Sequence, residues 1–337
     1  MPPRVLSGIQ PTAEMHIGNY FGAVKNWVAL QDTHDCIYAI VDLHAITMPY
    51  DPAKLRVNTE RMVIDLLACG IDPDKAILFI QSLVPEHTEL CWILACLSPF
   101  GDLRRMTQFK DKADLLEGQD TTQFVSAGFF IYPVLQAADI LVYRAQYVPV
   151  GRDQEQHLEL SRELARRFNN QFGVELFPEP APLFTETPKV MSLVDPTKKM
   201  SKSSGERHYI GLFEVEQSIR AKVKTAVTDT GGNPSAEMSP GVANLFEILR
   251  ACGKTEEAAA LLKNYHEGKL QYRELKEVTA DALVELTSGL RKRREEISRD
   301  PDAVKAKVIE MSLKARSIAV DTLKEVRSAT GLPERHL

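Results

Sequence analysis

What the sequence lacks narrows it first. No apolar run reaches the roughly eighteen residues that suggest a membrane-spanning helix, and Met1-Pro2-Pro3-Arg4 leads into a short apolar strand with no signal-peptide core. The expectation is a cytoplasmic protein with no membrane partner. Cysteine is scarce: the 5 present (Cys36, Cys69, Cys91, Cys96, Cys252) include no Cys-x-x-Cys pair. All but Cys252 lie in apolar surroundings, so they read as reduced core residues rather than a disulfide frame or a zinc site. No His-Glu-x-x-His occurs, and no protein-bound metal is expected. Gly-x-Gly-x-x-Gly and the Walker lysine loop are also missing, which speaks against a dinucleotide fold and a P-loop kinase. Nor is there an excess of basic residues. The net charge of −5 argues against a chain that coats nucleic acid indiscriminately, while leaving room for a specific RNA partner held by local patches. Arg104-Arg105 with Lys110 and Lys112, and Arg291-Lys292-Arg293-Arg294, are such patches; on charge alone a solvated helix face explains each as well.

What is present is an ordinary globular composition, 44% hydrophobic and 26% charged over 337 residues, enough for about two domains. Arg4 to Gly8 reads as a short strand. A loop follows, Ile9 to Asn19, and then an amphipathic helix from about Tyr20 to Gln31. Strand, loop with His and Gly, then helix is a nucleotide-binding arrangement, because a helix N-terminus offers unpaired N–H groups and a positive dipole end. Gly18 would let a nucleotide approach the backbone closely. Cys36 to Val41 is a buried strand closed by Asp42-Leu43-His44. Asp51-Pro52 opens a helix that ends near Gly70, and Ala76 to Gln81 is the next buried strand. Strands alternating with such helices predict a parallel sheet covered on both faces, with ligands at the carboxyl ends of its strands. Glu86 to Leu97 is an apolar helix, and a second helix carries Arg104, Arg105 and Lys110. The polar stretch 113–123 reads as a surface loop, and residues 83–130 as an insertion between two halves of the nucleotide fold. Gln146 to Gly151 reads as a strand edge feeding a helix from Arg152 to about Asn169. After Gly205 the pattern is helical to the end, and the last helix starts at Asp300-Pro301 and stops before Gly331.

Two stretches carry chemistry. Lys198-Lys199-Met200-Ser201-Lys202-Ser203-Ser204-Gly205 puts lysines among small hydroxyl residues and Gly, a mobile cationic loop suited to developing phosphate charge. In Tyr132 to Val142, Asp139 stands isolated among Ala, Ile, Leu and Val, three residues after Gln136. A carboxylate there is costly without a partner. Capping by the protein's own N–H groups and acceptance of a ligand N–H in an apolar pocket are both open.

Together these pieces resemble a known family. Pro11-Thr12-x-x-x-His16-Ile17-Gly18-Asn19 resembles the first signature of the class I aminoacyl-tRNA synthetases, and Lys199 to Ser203 matches the second. With Tyr132-Pro133-Val134-Leu135-Gln136-Ala137-Ala138-Asp139, Val148-Pro149-Val150-Gly151-x-Asp153-Gln154 and Ser192 to Lys199, the set is similar to the bacterial tryptophanyl-tRNA synthetases. The resemblance runs from residue 4 to about 250 and continues more weakly beyond. It implies an α/β fold: a Rossmann-like parallel-sheet nucleotide-binding domain (1–205) with the inserted helical segment (about 83–130) and the mobile lysine loop (198–205). A C-terminal all-helical domain (206–337) would recognise the tRNA anticodon, with its last helix (301–330) packing back on the body. It implies activation of L-tryptophan by ATP with Mg2+ and transfer to tRNA(Trp), with a homodimer as the working unit. The carboxylate of tryptophan is itself the nucleophile, so positioning and charge stabilisation are the protein's work.

By the same resemblance Lys199, Lys202, His16 and Gln10 carry catalysis. Gln10, Pro11, Thr12, Gly18, Asn19, Gly151, Arg152, Asp153, Val190, Lys199, Met200, Ser201, Lys202, Ser203 and Lys112 border ATP. Asp139 takes the indole N–H, Leu6, His44, Tyr132, Gln136, Val148 and Val150 line the slot, and Gln154 with Tyr132 holds the ammonium group. Three positions depart from the pattern: Gln136 stands where Met is frequent, Leu6 where an aromatic is, and Arg152 where an acidic residue is. Rival readings are a tyrosine-specific synthetase of the same fold, a small-molecule adenylyltransferase and a non-catalytic RNA-binding paralogue. The lone Asp139, the helical C-terminal region and the intact His16, Gly18, Lys199 and Lys202 weigh against them in turn.

Overall fold

The computed structural model describes residues 2–12, 14–106, 126–149, 151, 155–184, 188–228 and 238–333. Five parallel strands, β1 (Arg4–Ile9), β2 (Asp35–Ile40), β3 (Ala76–Ile80), β4 (Tyr147–Pro149) and β5 (Ala181–Leu183), lie in the order β3-β2-β1-β4-β5. The chain grows outward from β1 to β3 and then returns to the other side of β1. The β1–β4 boundary is therefore the switch point where a crevice opens at the carboxyl ends of the strands. Gln146 to Gly151, expected as a strand edge, supplies β4 in the sheet interior: Tyr147 pairs with both Val5 and Ala181.

Alternate residues of the strands enter two separate cores. Val5, Tyr38, Ile40 and Leu78 face one, and Leu6, Ile37, Ala39 and Phe79 the other. That is the period-2 pattern of a sheet buried on both faces, and it explains strands that are apolar throughout.

Local chemistry sets the helix ends. After β1 the chain forms α1 (Ile17–Asn19), runs through a π-turn (Tyr20–Val24) and continues as α2 (Lys25–Leu30), so the helical path begins at Ile17 rather than Tyr20. Short α3 (Asp42–Ala45) follows β2. In α4 (Pro52–Cys69) the Asp51 carboxylate accepts the Ala53 and Lys54 N–H groups, Pro52 occupies the first position and Gly70 closes the helix at φ 108°. Of the expected insertion, the described part forms α5 (Glu86–Leu97), α6 (Phe100–Arg104) and the start of α7 (Ala127–Leu141); Lys110 and the stretch 113–123 lie outside the described residues. Next comes α8 (Glu155–Phe172), which ends three residues beyond the expected Asn169; residues 152–154, where its start was expected, lie outside the described residues.

The C-terminal region is helical: α9 (Glu216–Lys224), α10 (Pro240–Ala251), α11 (Thr255–His266), α12 (Tyr272–Ile297) and α13 (Pro301–Thr330). Asp300 caps α13 and Gly331 ends it in the left-handed region. α12 lies against α4, and α13 against β3 and α5. Through Phe246, Leu283 and Met311 these helices share the first core, and through Ala315, Ala319 and Leu323 the second. The cysteine expectation needs correction. Cys36 and Cys69 are buried, Cys91 and Cys252 partly so, but Cys96 is exposed on α5, because the apolar stretch Cys91 to Leu97 turns only one side of the helix inward.

Candidate active site

At the switch point a cavity of about 380 Å³ opens beneath the ends of β1 and β4, a volume suited to one small ligand. Leu6 and Val148 form apolar walls, Trp27 and Tyr132 supply aromatic ones, and Gln10, His44, Gln136, Asp139 and Gly151 line the rest. Trp27 is held from behind by stacking on Tyr38, whose hydroxyl donates to the Trp27 carbonyl.

Asp139 is the only carboxylate among the described lining residues and is 4% exposed. Its Oδ2 accepts from His44 Nε2 at 2.8 Å, its Oδ1 from His87 Nδ1 at 2.6 Å, and Gln81 Nε2 reaches both oxygens at 2.8 and 2.9 Å. Burial pushes this carboxyl up, but the donors His44 and His87 outweigh it and hold the group at about 2. So the two roles that the sequence leaves open for Asp139 coexist: the protein satisfies the carboxylate, and the carboxylate faces the cavity. Gln81 is itself oriented by the Leu43 N–H, which donates to its Oε1 at 3.1 Å. Tyr132 shares a 2.9 Å hydrogen bond with His157 Nε2, and burial raises its hydroxyl to about 12.

The first signature segment sits at the start of α1. The His16 N–H donates to Asn19 Oδ1 at 3.1 Å, and the His16 ring folds over Gly18. A Cβ on Gly18 would lie 2.9 Å from that ring, so this glycine makes room for His16 as well as for any ligand. Burial first, then the charges of Lys202 and Lys199, lower His16 to about 4. Its imidazole is therefore neutral near pH 7, and its buried Nδ1 has no hydrogen-bond partner among the described residues.

The lysine loop is anchored rather than adrift. Met200 is buried and its N–H donates to the carbonyl of buried Val190, while Met191 bridges Lys199. Asn244 on α10 clamps Met191 with two hydrogen bonds, and beyond the loop Ile210 and Leu212 pair with Ile17 and Met15. The two signatures thus meet. Ser201 caps a short turn over Lys202–Ser204 and bonds Ser203. Lys199 is exposed, whereas Lys202 is half-buried above the Tyr209 ring, and burial lowers its ammonium to about 8.

A second cavity of about 370 Å³ shares Gln10, His44 and Tyr132 with the first. Pro11, Thr12, Met48, Tyr50, Asn58 and Phe129 are among the rest of its lining, with Lys54 beside Asp51 at 3.9 Å. Of the expected site residues, Lys112, Val150, Arg152, Asp153 and Gln154 lie outside the described residues. Gln81, His87 and Tyr143 are not singled out from sequence, since a polar residue at a strand end or helix end carries no local mark of the partner it will meet. Among the described residues there is no group of three or more His, Cys, Asp or Glu arranged for a metal, and no helix long and apolar enough to cross a membrane.

Comparison with known proteins gives a consistent picture. The family model for tRNA synthetases class I (W and Y) matches residues 1–288. Tryptophan–tRNA ligase 2 of Streptomyces avermitilis is 47% identical over 340 residues, covering 99% of this chain and 98% of that protein. The tryptophan–tRNA ligase of Caldanaerobacter subterraneus subsp. tengcongensis is 43% identical over 333 residues, covering 98% of each. The crystal structure of tryptophanyl-tRNA synthetase from Campylobacter jejuni, complexed with ADP and tryptophan, superposes with a TM-score of 0.82 at 33% identity, covering 98% of this chain and 100% of that one.

Proposed function

The chain belongs to the class I tRNA synthetases of the W and Y group, and from this membership and the site we infer an enzyme that activates L-tryptophan with ATP and joins it to tRNA. The observation that carries the substrate is Asp139, an ionised acceptor and the one carboxylate among the described lining residues of a cavity walled largely by apolar and aromatic side chains. An indole needs one acceptor for its N–H and flat apolar walls for its rings. A site that hydrogen-bonds a substrate N–H rejects analogues lacking it by about 10⁴–10⁵, far more than shape alone achieves.

In this reading the indole lies between Leu6, Val148 and Tyr132, its N–H on Asp139, with Gln136 and His44 at the rim and Tyr132 and Gln154 at the ammonium. The tryptophan carboxylate attacks the α-phosphorus of Mg·ATP, and the bond to pyrophosphate breaks. Neutral His16, its ring nitrogen unpaired, is suited to donate to a phosphate oxygen, and Lys199 and Lys202 take up the charge developing on pyrophosphate. Gln10, Pro11, Thr12, Asn19 and Gly151 border the nucleotide. In the second step a ribose hydroxyl of the terminal adenosine of tRNA(Trp) attacks the acyl carbon and AMP leaves. The second cavity, joined to the first through Gln10, His44 and Tyr132, offers that adenosine aromatic faces in Tyr50 and Phe129 and a cation in Lys54. The helical region from 206 onward would read the anticodon, and the working unit is a homodimer.

The test is ATP–pyrophosphate exchange with tryptophan beside tyrosine, and with Asp139→Ala as control. Exchange with tryptophan alone, reduced by at least about 100-fold in the variant, is expected. Exchange with tyrosine in preference would overturn the tryptophan assignment, and exchange with neither would overturn the enzyme.

A further inference from the structure

The two oxygens of Asp139 are held from different sides. Oδ2 meets His44, which lines the cavity; Oδ1 meets His87, which does not. His87, near the start of α5, is fully buried and approaches the carboxylate from behind. Its second ring nitrogen, Nε2, lies 2.8 Å from the hydroxyl of Tyr143, also fully buried, in the turn that follows α7. Asp139 and Tyr143 are four residues apart and so lie on one side of the same helical path, with the imidazole wedged between them. Phe79 of β3 packs against both rings, at 5.6 Å from His87 and 5.5 Å from Tyr143.

This arrangement fixes more than burial requires. His44 and Gln81 alone would satisfy the buried carboxylate, but Oδ1 would then be held only by the amide N–H group that it shares with Oδ2. Adding His87 at 2.6 Å pins Oδ1, and Tyr143 in turn pins the plane of the imidazole. The oxygen edge presented to the cavity is thereby set before any ligand arrives, and pre-set acceptors discriminate more sharply than mobile ones because they cannot turn to suit a poorer ligand.

We propose that His87 and Tyr143 are specificity-determining positioning residues, a buried relay that holds the Asp139 carboxylate in the one orientation that accepts an indole N–H. The proposal rests on the assignment of Asp139 as the indole acceptor. Neither residue touches substrate. Each acts through Asp139, so removing one shows as lost discrimination rather than as lost chemistry.

The experiment compares tryptophan with benzothienylalanine, in which sulfur replaces the indole N–H, in ATP–pyrophosphate exchange by the full-length wild type and by His87→Leu, His87→Asn and Tyr143→Phe. In His87→Leu the KM for tryptophan rises roughly 10-fold or more, as expected for a lost hydrogen bond to a charged group, while the KM for ATP stays within about twofold. The preference for tryptophan over benzothienylalanine falls by a similar factor. His87→Asn, whose amide nitrogen can replace Nδ1, recovers most of the preference, and Tyr143→Phe shifts it in the same direction by less. A folded His87→Leu with wild-type preference overturns the relay and leaves its residues as core packing; so does an equal loss for both amino acids. Should His87→Leu not fold, an unchanged preference in Tyr143→Phe overturns it instead. A wild type that activates tryptophan without preferring it to benzothienylalanine removes Asp139 as the indole acceptor, and that outcome is read before any variant.

Discussion

At the scale of single residues, the site lowers two titrating groups without changing their order. His16 and Lys202 share one neighbourhood: burial disfavours the charged form of both, and at His16 the charge of Lys202 adds to it. His16 falls to about 4 and Lys202 to about 8. Near pH 7 this leaves a neutral imidazole beside a charged ammonium, a hydrogen-bond donor beside a cation. The cation is present below pH 8 and lost above it, so kcat/KM for ATP in exchange should fall as pH rises past about 8, and His16 should add no limb near neutrality. Because bound phosphates favour the ammonium, kcat should hold to a higher pH than kcat/KM. Lys202→Arg, charged throughout, should keep kcat/KM flat to about pH 10 even if its absolute rate is lower. A wild-type profile already flat to that pH would remove Lys202 from the titration. His16, Lys199 and Lys202 were legible in sequence because their spacing is local. Asp139 was legible as an isolated charge in an apolar run. Its partners Gln81 and His87 were not, since they stand 58 and 52 residues away along the chain and meet it only once the sheet and α7 have packed.

At the scale of elements, the helices with chemical punctuation were the readable ones. Asp51-Pro52 and Gly70 delimit α4, and Asp300-Pro301 and Gly331 delimit α13, each by side-chain capping or a left-handed residue that needs no tertiary help. The place of β4 inside the sheet is not legible in sequence, because it depends on β5, which has only three residues, Ala181–Leu183, one of them proline. The union of α4 with α12 was invisible for the same reason. There Asp65, 1% exposed, meets Arg294 Nε at 2.7 Å, with the guanidinium over Phe213. Burial outweighs Arg294 and raises Asp65 to about 6. A raised carboxyl means the folded state holds a proton that the unfolded chain has released. Its stabilising contribution is complete below the unfolded value of about 4 and is lost as pH rises through about 6, by up to roughly 3 kcal/mol. The stability of the wild type minus that of Asp65→Asn, from guanidinium midpoints, should therefore decline between about pH 4 and 6; a flat difference would show that Arg294 compensates the burial in full. The loop before α4 carries a separate expectation. Tyr50 is 49% exposed at the mouth of the second cavity. If that cavity receives the terminal adenosine, Tyr50→Ala should lower aminoacylation of tRNA by roughly 10-fold, the loss of one base-stacking contact, and leave ATP–pyrophosphate exchange near wild type. Equal loss in both assays would place Tyr50 in the first step.

At the scale of the molecule, one surface is out of keeping with the rest. Trp92 on α5 is 70% exposed and Phe100 on α6 is 68% exposed, the two most exposed of the large apolar side chains among the described residues. Phe100 also packs against Phe130 of α7, with ring centroids 5.1 Å apart and planes tilted by 35°. Single exposed apolar residues are ordinary, but two large aromatics this exposed on consecutive helices are apolar surface that a second copy of the chain would bury. The opposite side of α5 is already used: Leu90 and Leu94 are fully buried in the second core, beside the α7 residues that surround Asp139. Hence α5 carries His87 toward the carboxylate and Trp92 toward the outside on one short rigid body. A contact between two copies at Trp92 would steady the element that fixes Oδ1 of Asp139, and dimerisation and tryptophan recognition should fail together. The double substitution Trp92→Glu with Phe100→Glu places charge in that contact without touching the core. Sedimentation velocity should show a dimer for the wild type and a monomer for the variant, and the KM for tryptophan should rise severalfold more than the KM for ATP. A wild-type monomer would dispose of the dimer. A monomeric variant with an unchanged KM for tryptophan would keep the dimer and show that α5 is held firmly enough by its own core.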